Sequence, residues 1–235
     1  MKKSIICMII IGVLLVAIIA YAIIVQNAKT NKETKAENTI TTSKATNEVE
    51  NKISEDETEE KNKEETNMYA TGIHHATIEV KNYGTIKLEL DASVAPITVA
   101  NFAKLVNEGF YNGLTFHRIM DGFMIQGGDP EGTGFGGSSE TIKGEFKANG
   151  VNNNISHVRG VVSMARATGF NTASSQFFIV HKDSKFLDGN YAGFGKVLEG
   201  MEIVDKICED TPVVDDNGTV LKKNQPIIEK ITMED

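Results

Sequence analysis

Arginine is rare in this sequence, and its placement indicates where chemistry could occur. Only Arg118, Arg159 and Arg166 are arginine among 24 basic residues. A guanidinium stays charged and presents several donors in one plane, so an arginine indicates a geometric requirement where lysine would supply general charge. Arg118 lies between the apolar side chains of Phe116 and Phe123. If an apolar pocket lay beside it, such a fixed cationic donor would stabilise a distorted bound molecule with no covalent bond made or broken.

Three other patterns invite a chemical interpretation and do not support one. Segment 132–137 fits G-x-G-x-x-G, but no helix opens after it and no βαβ unit surrounds it, so we predict tight turns instead of a cofactor loop. His74 and His75 are neighbours on a predicted strand, where their side chains point to opposite faces and cannot easily share a metal ion. The chain contains no G-x-S-x-G nucleophile elbow. We therefore predict neither a cofactor nor a metal.

The net charge of the chain and its two cysteines exclude further classes of protein. With 24 basic and 32 acidic side chains the formal net charge is -8, and no basic cluster is present, which argues against a nucleic-acid-binding protein. Cys7 lies in an apolar run far from Cys208, so neither a disulfide framework nor a cysteine-rich zinc site is available. The fold must therefore depend on an ordinary hydrophobic core.

Alternation of apolar and polar residues predicts the elements that position Arg118. The stretches 75–80 and 85–90 alternate around a short turn, as in a β-hairpin with one buried face. Helices are predicted from Pro96 to Gly109 and over 201–208. Further strands are predicted at 115–120, 124–126, 161–164, 176–180, 192–197 and 227–233. Eight strands with two helices predict a mainly β fold, a closed eight-stranded antiparallel β-barrel capped by two α-helices.

The N-terminal residues 1–25 predict a transmembrane segment. The stretch 5–25 carries no charge, and its 21 residues would form a helix of roughly 32 Å, which matches the hydrocarbon core of a bilayer. We expect an uncleaved single-pass anchor in the cell membrane, because a cleavable signal usually has a shorter apolar stretch. Cleavage at Ala22, which would release a secreted protein, is the alternative. In either case Lys2 and Lys3 stay inside, and the rest of the chain is extracytoplasmic.

The chain after this segment divides into a linker and a domain. Residues 26–67 contain 7 Lys, 10 Glu and 1 Asp among many Asn, Thr and Ser, a composition typical of a disordered polar linker. Such a linker would let a domain work away from the bilayer surface. Residues 68–235 have the length of a single domain, and we predict that they carry the function.

Four ordered segments of this domain carry a resemblance to a known family. Residues 111–130 read YNGLTFHRIMDGFMIQGGDP, followed by SMARA at 163–167, NTASSQFFI at 171–179 and FLDGNYAGFGKV at 186–197. These segments resemble the cyclophilins, which are peptidyl-prolyl cis-trans isomerases. The resemblance extends over residues 73–235. It implies a cyclophilin-like fold and an enzyme, a foldase or rotamase that accelerates the isomerisation of X-Pro bonds without a cofactor.

The resemblance also assigns residues to a site. Arg118 would be the catalytic arginine, and an apolar proline pocket would lie beside it. The walls of this pocket would be Phe123, Met124, Phe178 and Leu187, with Gln126 and Gln176 as polar groups beside it. A short segment around Arg166, where the family usually has asparagine, would bind the substrate backbone mainly through main-chain atoms. The substrate-binding residues implied in this way are Phe116, Phe123, Met124, Gln126, Ala165, Arg166, Ala167, Gln176, Phe178, Phe186, Leu187 and Tyr191.

Two residues depart from the pattern of many eukaryotic members of the family. Phe186 stands where they carry tryptophan and Tyr191 where they carry histidine, a combination that looks bacterial. Isomerase activity should persist. Any binding of the inhibitor cyclosporin is expected to be weak, because the tryptophan indole donates a hydrogen bond that phenylalanine cannot donate.

Two functions are compatible with such a site. The first is a membrane-tethered foldase that acts on proline-containing peptides and unfolded chains as they emerge outside the membrane. The alternative is a non-catalytic module that binds proline-containing partners as a chaperone or scaffold. A binding module could lose Arg118, whereas a catalyst could not. His117 is predicted to be structural, since the reaction needs no net proton transfer and strand alternation places its side chain on the opposite face.

Overall fold

The computed structural model of the chain describes residues 68–234. Within this range two helices and eight strands form, each overlapping a predicted one. The helices are α1 (Pro96–Asn107) and α2 (Met201–Asp210). The strands are β1 (Ile73–Val80), β2 (Gly84–Asp91), β3 (Thr115–Met120), β4 (Met124–Asp129), β5 (Val161–Met164), β6 (Phe177–Val180), β7 (Gly193–Glu199) and β8 (Ile228–Met233).

The predicted transmembrane segment and linker, residues 1–67, lie outside the described residues. Between residues 68 and 234 no helix has both the length and the apolar character needed to cross a membrane.

The eight strands form one antiparallel sheet with the order β3-β4-β6-β5-β7-β2-β1-β8. The predicted closed barrel is wrong, because the end strands β3 and β8 do not form a ladder. Their ends meet through an isolated bridge between Thr115 and Ile227 and a few backbone bonds around it. Pro226 has no N–H to donate, and beyond Phe116 the outer edge of β3 bonds to loop 217–220 instead of β8. The sheet is therefore a curled half-barrel.

The sheet buries apolar side chains on both of its faces. The main core lies on one face, where it includes Leu88 of β2, Phe102 of α1 and Phe177 of β6. A second, smaller cluster of buried residues contains Met124, Val161, Phe178, Val180 and Leu187. Successive strand residues point to opposite faces, so Phe177 joins the main core while Phe178 joins the second cluster. This explains why all four residues of β6 are buried.

Helix α1 packs on β2 and β8, and a residue distant in sequence caps its N-terminus. Ala95, at the N-cap position, has no side chain that can accept a hydrogen bond. The buried carboxylate of Glu145 accepts instead, from the backbone N–H of Ile97 at 3.1 Å and from the backbone N–H and hydroxyl of Thr98 at 2.8 and 2.7 Å. A negative charge at this end also interacts favourably with the helix dipole. Glu145 thereby fixes the helix to the loop that carries it.

Candidate active site

A bulge in β3 decides which way Arg118 points. Phe116 pairs with Gly127 of β4 and Arg118 pairs with Gln126, so His117 is the extra residue between them. The extra residue shifts the strand alternation, because Phe116 and Arg118 would otherwise share a face. Phe116 points into the main core, where its ring centroid lies 6.2 Å from that of Phe177, and Arg118 faces the second cluster. The structure therefore does not bring Phe116 to the site, although the resemblance implied a substrate-binding role.

His117 is buried, with 4% of its surface exposed. Burial lowers the pKa of its imidazole, and the charge of Arg118 acts in the same direction, against the opposing effect of Asp129. The ring is therefore neutral near pH 7. His117 also does not belong to the set of residues that line the cavity beside Arg118. A neutral buried ring in this position fits the predicted structural role.

The guanidinium of Arg118 has two oxygen partners on one residue of loop 217–220. Its Nε donates to the backbone oxygen of Asn217 at 2.8 Å and its Nη2 donates to Asn217 Oδ1 at 3.1 Å. Nη1 donates to Gln126 Oε1 at 3.3 Å. The remaining contacts are with thioether sulfurs, Met120 at 3.1 Å from Nη2 and Met124 at 4.0 Å from Nη1. Partial burial lowers the pKa of Arg118, but an arginine stays charged near pH 7.

A cavity of about 140 Å³ lies beside Arg118, and most of its lining residues are apolar or aromatic. It contains the four residues that the resemblance assigned to a proline pocket, and Arg118 with Gln126 adds the polar edge. The floor of the cavity is formed by Met124, Phe178 and Leu187, which belong to the second cluster of buried residues, so the sheet supports it. The lining residues are Arg118, Phe123, Met124, Gln126, Ala165, Arg166, Phe178, Leu187 and Tyr191.

The floor of this cavity rests on a buried histidine. The ring of His157 stacks on Phe178 with centroids 6.1 Å apart, and its Nδ1 and Nε2 lie 2.9 Å from Asp188 and 3.0 Å from Ser163. Serine, histidine and aspartate in this order resemble a hydrolytic triad. His157 and Ser163 are both 0% exposed, however, so a substrate cannot reach the hydroxyl. Asp188 directly follows Leu187, and the cluster therefore fixes the floor and one wall of the cavity.

A chain of side-chain amides leads from Arg118 to a second cavity. Gln126, which accepts from Arg118, donates through Nε2 to Gln176 Oε1 at 2.8 Å. Gln176 in turn donates to the backbone oxygens of Gly136 at 2.7 Å and Gly134 at 3.1 Å. The second cavity has a volume of about 450 Å³ and shares Gln126, Ala165 and Arg166 with the first. Ala167 and Gln176 line the second cavity, so the predicted residues divide between two neighbouring cavities.

The glycine-rich segment 132–137 forms tight turns, and its residues 134–137 line the second cavity. Gly134 has a φ of 89°, a conformation that favours glycine. The carboxylate of Asp129 accepts hydrogen bonds from the backbone N–H groups of Glu131, Thr133 and Gly134 at 2.6 to 2.9 Å. Burial would raise the pKa of Asp129, but these N–H groups outweigh it and hold that pKa below its usual value. No group of three or more His, Cys, Asp or Glu within residues 68–234 could hold a metal ion.

Arg166, which lines both cavities, also places its guanidinium among a set of aromatic rings. Its guanidinium carbon lies 4.7 Å from the ring centroid of Tyr191, 5.1 Å from that of Phe146 and 5.4 Å from that of Phe170. Its Nε donates to the backbone oxygen of Asn190 at 3.0 Å, and its Nη1 donates to two carbonyls of its own segment. These contacts position the ring of Tyr191, which lines the first cavity.

Two exposed phenylalanines stand at the edges of the cavities. Phe186 is 72% exposed and packs on Phe123 with ring centroids 5.5 Å apart, so it extends the apolar wall without belonging to the lining. Phe135 is 93% exposed and lines the second cavity. The sequence analysis did not assign Phe135 to the site.

Sequence reasoning also missed Asn217, which contacts Arg118 across a separation of 99 positions in the chain. Asn217-Gly218 is a turn signal and Asn217-Gly218-Thr219 is a formal glycosylation sequon, but neither pattern says anything about Arg118. The link exists because the loop pairs with β3 through the bridge between Arg118 and Thr219. No local signal in either segment could have predicted this pairing.

Fold and site together describe a half-barrel with a groove lined mostly by apolar and aromatic residues, with Arg118 at its edge. The chain matches the family "Cyclophilin type peptidyl-prolyl cis-trans isomerase/CLD" over residues 75–233. It therefore belongs to the cyclophilin-type peptidyl-prolyl cis-trans isomerases, as the resemblance predicted, and its fold is the cyclophilin-like half-barrel with two helices.

Relatives from bacteria and a eukaryotic parasite support this membership. Peptidyl-prolyl cis-trans isomerase B of Bacillus subtilis (strain 168) is 48% identical over 138 residues, which are 59% of this chain and 87% of the relative. A Helicobacter pylori (strain ATCC 700392 / 26695) isomerase is 48% identical over 135 residues, 57% of this chain and 79% of the relative. The crystal structure of a Cryptosporidium parvum cyclophilin has a TM-score of 0.61 and 34% identity, and the match covers 70% of this chain and 99% of that one. A second structure of that protein, determined in the presence of the dipeptide Ala-Pro, has a TM-score of 0.60 and 35% identity over 68% and 99% of the two chains.

Proposed function

We propose that this chain accelerates the cis-trans isomerisation of X-Pro bonds in secreted or cell-envelope proteins, by a non-covalent mechanism in which Arg118 is the donor. The substrates are proline-containing peptides and unfolded protein chains. The observation that carries the proposal is the position of Arg118, whose charged guanidinium lies at a cavity of about 140 Å³ lined mostly by apolar and aromatic residues. The Cryptosporidium parvum structure determined in the presence of Ala-Pro supports this class of substrate.

The physical demand of the reaction matches this arrangement. Twisting an X-Pro bond breaks amide resonance, so the uncatalysed reaction takes tens to hundreds of seconds over a barrier of about 20 kcal/mol. The twisted state has a less polar carbonyl group and a pyramidal nitrogen with an available lone pair. An apolar cavity therefore favours the twisted state over the planar one, and an N–H donor directed at the nitrogen favours it further.

The contacts of Arg118 allow it to supply that donor. Its N–H groups toward Asn217 and Gln126 are bonded to oxygen, whereas those toward Met120 and Met124 meet thioether sulfur. Thioether sulfur is a weak acceptor, so a substrate carbonyl or nitrogen can replace it at little cost. The bonds to oxygen meanwhile keep the guanidinium in place. Arg118 is therefore held by one set of donors and acts through the other.

The required rate enhancement is within reach of such a site. Lowering the barrier by about 7 kcal/mol would raise a rate of roughly 10⁻² per second to roughly 10³ per second. Three contributions share this amount. They are transfer of the proline ring into the apolar cavity, the hydrogen bonds of Arg118 that strengthen in the twisted state, and the positioning of the substrate.

The proposed place of action is the outer side of the cell membrane. Support comes from the uncharged stretch 5–25, from Lys2 and Lys3 before it and from the polar residues 26–67 after it. An anchored foldase would meet chains as they emerge from the membrane. Release after cleavage at Ala22 would give a secreted enzyme instead, and the mass of the purified protein distinguishes the two forms.

The test compares the full-length chain, purified in detergent, with Arg118→Ala and Arg118→Lys. Isomerisation of a short X-Pro peptide and binding of the same peptide are measured for each. We expect the wild type to accelerate exchange, Arg118→Ala to lose most of that acceleration, and Arg118→Lys to recover little, because an ammonium lacks the planar set of donors. Lys196→Ala, on the outside of β7, is the control for loss of one positive charge. Binding without acceleration by the wild type would overturn the proposal and indicate a non-catalytic binding module.

A further inference from the structure

Loop 213–220 is a rigid turn that runs along the outer edge of β3. Val213 and Val220 form a bridge across it, and the carboxylate of Asp215 accepts the backbone N–H groups of Asn217 and Thr219, each at 3.0 Å. These bonds hold the pKa of Asp215 below its usual value, so the carboxylate is charged. The loop is therefore fixed internally.

Two backbone bonds attach this loop to the strand that carries Arg118. Ile119 donates its N–H to the oxygen of Gly218 at 2.8 Å, and Val220 donates to the oxygen of His117 at 3.1 Å. Gly218 has a φ of 78°, and a Cβ there would lie 2.3 Å from the oxygen of Ile119, so only glycine allows so close an approach. Both attachments flank Arg118 directly. These two bonds, one before and one after Arg118 in β3, therefore fix the position of Asn217 relative to Arg118.

The two bonds from Arg118 to Asn217 determine the orientation of the guanidinium plane. A single bond would leave the plane able to rotate, whereas bonds at Nε and Nη2 fix two of its corners. Ordering an arginine side chain costs rotamer entropy, and this cost is met before the substrate binds when the plane is already held. The N–H groups of Arg118 that remain available to a substrate then have a fixed direction before the substrate binds. Asn217 itself is not among the residues that line either cavity beside Arg118.

We infer that Asn217 is a positioning residue for the isomerisation reaction, which acts by orienting the guanidinium of Arg118. This inference rests on the proposed role of Arg118. Any residue at position 217 keeps the backbone oxygen that accepts from Nε. Substitution of Asn217 therefore tests only the hydrogen bond that Oδ1 accepts from Nη2. Loss of that bond frees Nη2 and leaves the plane held only by the bond of Nε to the backbone and the longer bond of Nη1 to Gln126. The weaker hold on the plane should affect the twisted state of the substrate more than its initial binding.

The first test is the kinetics of full-length Asn217→Ala in detergent with an X-Pro peptide. We expect kcat to fall about five- to tenfold and KM to change by less than about twofold, because a hydrogen bond to a charged group is lost in the reacting state. Asn217→Asp should recover more than half of the wild-type kcat, because a carboxylate oxygen can accept from Nη2. Asp216→Ala, in the same turn, is the matched control and should retain wild-type kcat.

The second test observes the guanidinium directly. Since the chain has only three arginines, the ¹⁵N spectrum of their Nε–H groups is simple to assign by substitution. The Arg118 resonance should shift in Asn217→Ala and stay in place in Asp216→Ala, with the same unfolding temperature in both variants. A merely structural role of the loop would lower the unfolding temperature and would not single out Arg118.

The outcomes separate this inference from the proposed function. An active wild type with Asn217→Ala within twofold of its kcat would overturn the role of Asn217 and leave the proposed function intact. Equal losses in Asn217→Ala and Asn217→Asp would also overturn it, since the acceptor would not matter. An inactive wild type would instead overturn the proposed function, and the positioning role would fall with it.

Discussion

Replacing Arg166 with alanine tests whether its set of aromatic rings prepares the groove for substrate. The guanidinium interacts with the rings of Tyr191, Phe146 and Phe170 and donates to the backbone oxygen of Asn190. Alanine removes all of these interactions at once. Tyr191 then loses its nearest cationic partner, and the ring that lines the first cavity becomes less well ordered. We expect weaker substrate binding and an unchanged reaction step, because Arg118 keeps its own contacts.

The magnitude follows from the geometry of the three rings. A cation–π interaction at a partly exposed site contributes about 0.5 to 1 kcal/mol, so three of them contribute about 2 kcal/mol to the free energy of unfolding. For a domain of this size such a loss corresponds to a fall of about 4 to 8 °C in Tm. The loss of order at Tyr191 should cost about 1 kcal/mol in binding, which raises KM about fivefold.

The assay measures initial isomerisation rates of the full-length chain in detergent over a range of peptide concentrations, together with thermal unfolding. Arg166→Lys keeps the charge and loses the planar contacts, so it should lie between the wild type and Arg166→Ala. Lys196→Ala, which breaks an exposed ion pair with Glu89, is the control for net charge. A lower Tm with unchanged KM would refute the reasoning, since Arg166 would then stabilise the fold alone. An equal rise of KM in Lys196→Ala would refute it as well.

Two further predictions concern Glu145 and His157. Glu145→Ala leaves three donors at the start of α1 without their acceptor, which should lower the free energy of unfolding by about 3 kcal/mol and Tm by about 6 to 12 °C. Isomerase activity at 25 °C should stay near that of the wild type. Replacing the exposed Glu140 with alanine is the control and should change Tm by less than 2 °C. Similar Tm values for the two variants would contradict the capping role of Glu145. Burial lowers the pKa of His157 from its ordinary 6.5, although Asp188 opposes this, so the unfolded chain binds a proton that the folded chain does not. The contribution of His157 to the free energy of unfolding should therefore be fully present above pH 6.5 and decrease as the pH falls below it. Urea unfolding at several pH values should show a smaller decrease in His157→Gln. The same dependence of unfolding free energy on pH in both proteins would contradict this prediction.

The strands and helices of this domain could be predicted because their patterns are local. Alternation in segments such as 115–120 and 161–164 identifies a strand without reference to the rest of the chain. Closure of the sheet could not be predicted in this way, because it depends on whether β3 and β8 find a common register. Loop 217–220 occupies the edge of β3 that β8 would need, and a loop has no periodicity to reveal its partner.

The site, like the fold, was predictable only where a local sequence motif indicated it. Motif resemblance assigned Phe123, Met124, Phe178 and Leu187 to a common pocket, and the structure brings all four to one cavity. It failed for Phe116, because a bulge at the next residue reverses the face to which a side chain points and leaves no mark in the sequence.

Contacts between distant segments form the part of the site that the sequence could not indicate. Asn217 reaches Arg118, Asp188 reaches His157 and Glu145 reaches α1, each across more than 30 positions. Such contacts depend on the completed fold, and single residues in loops carry no pattern that predicts them.

The burial of β6 on both faces has a consequence for how such an enzyme could change its preference for clients. Phe177 and Phe178 are chain neighbours, one in the main core and the other in the floor of the groove, so a new residue in the floor disturbs the backbone on which the core depends. Phe135 and Phe186, by contrast, are 93% and 72% exposed on loops. Substitutions there cost little stability. A new client preference can therefore arise more easily, in evolution or by engineering, through Phe135 and Phe186 at the edges of the cavities than through Phe178 in the floor. A change in the floor would also have to preserve the fold.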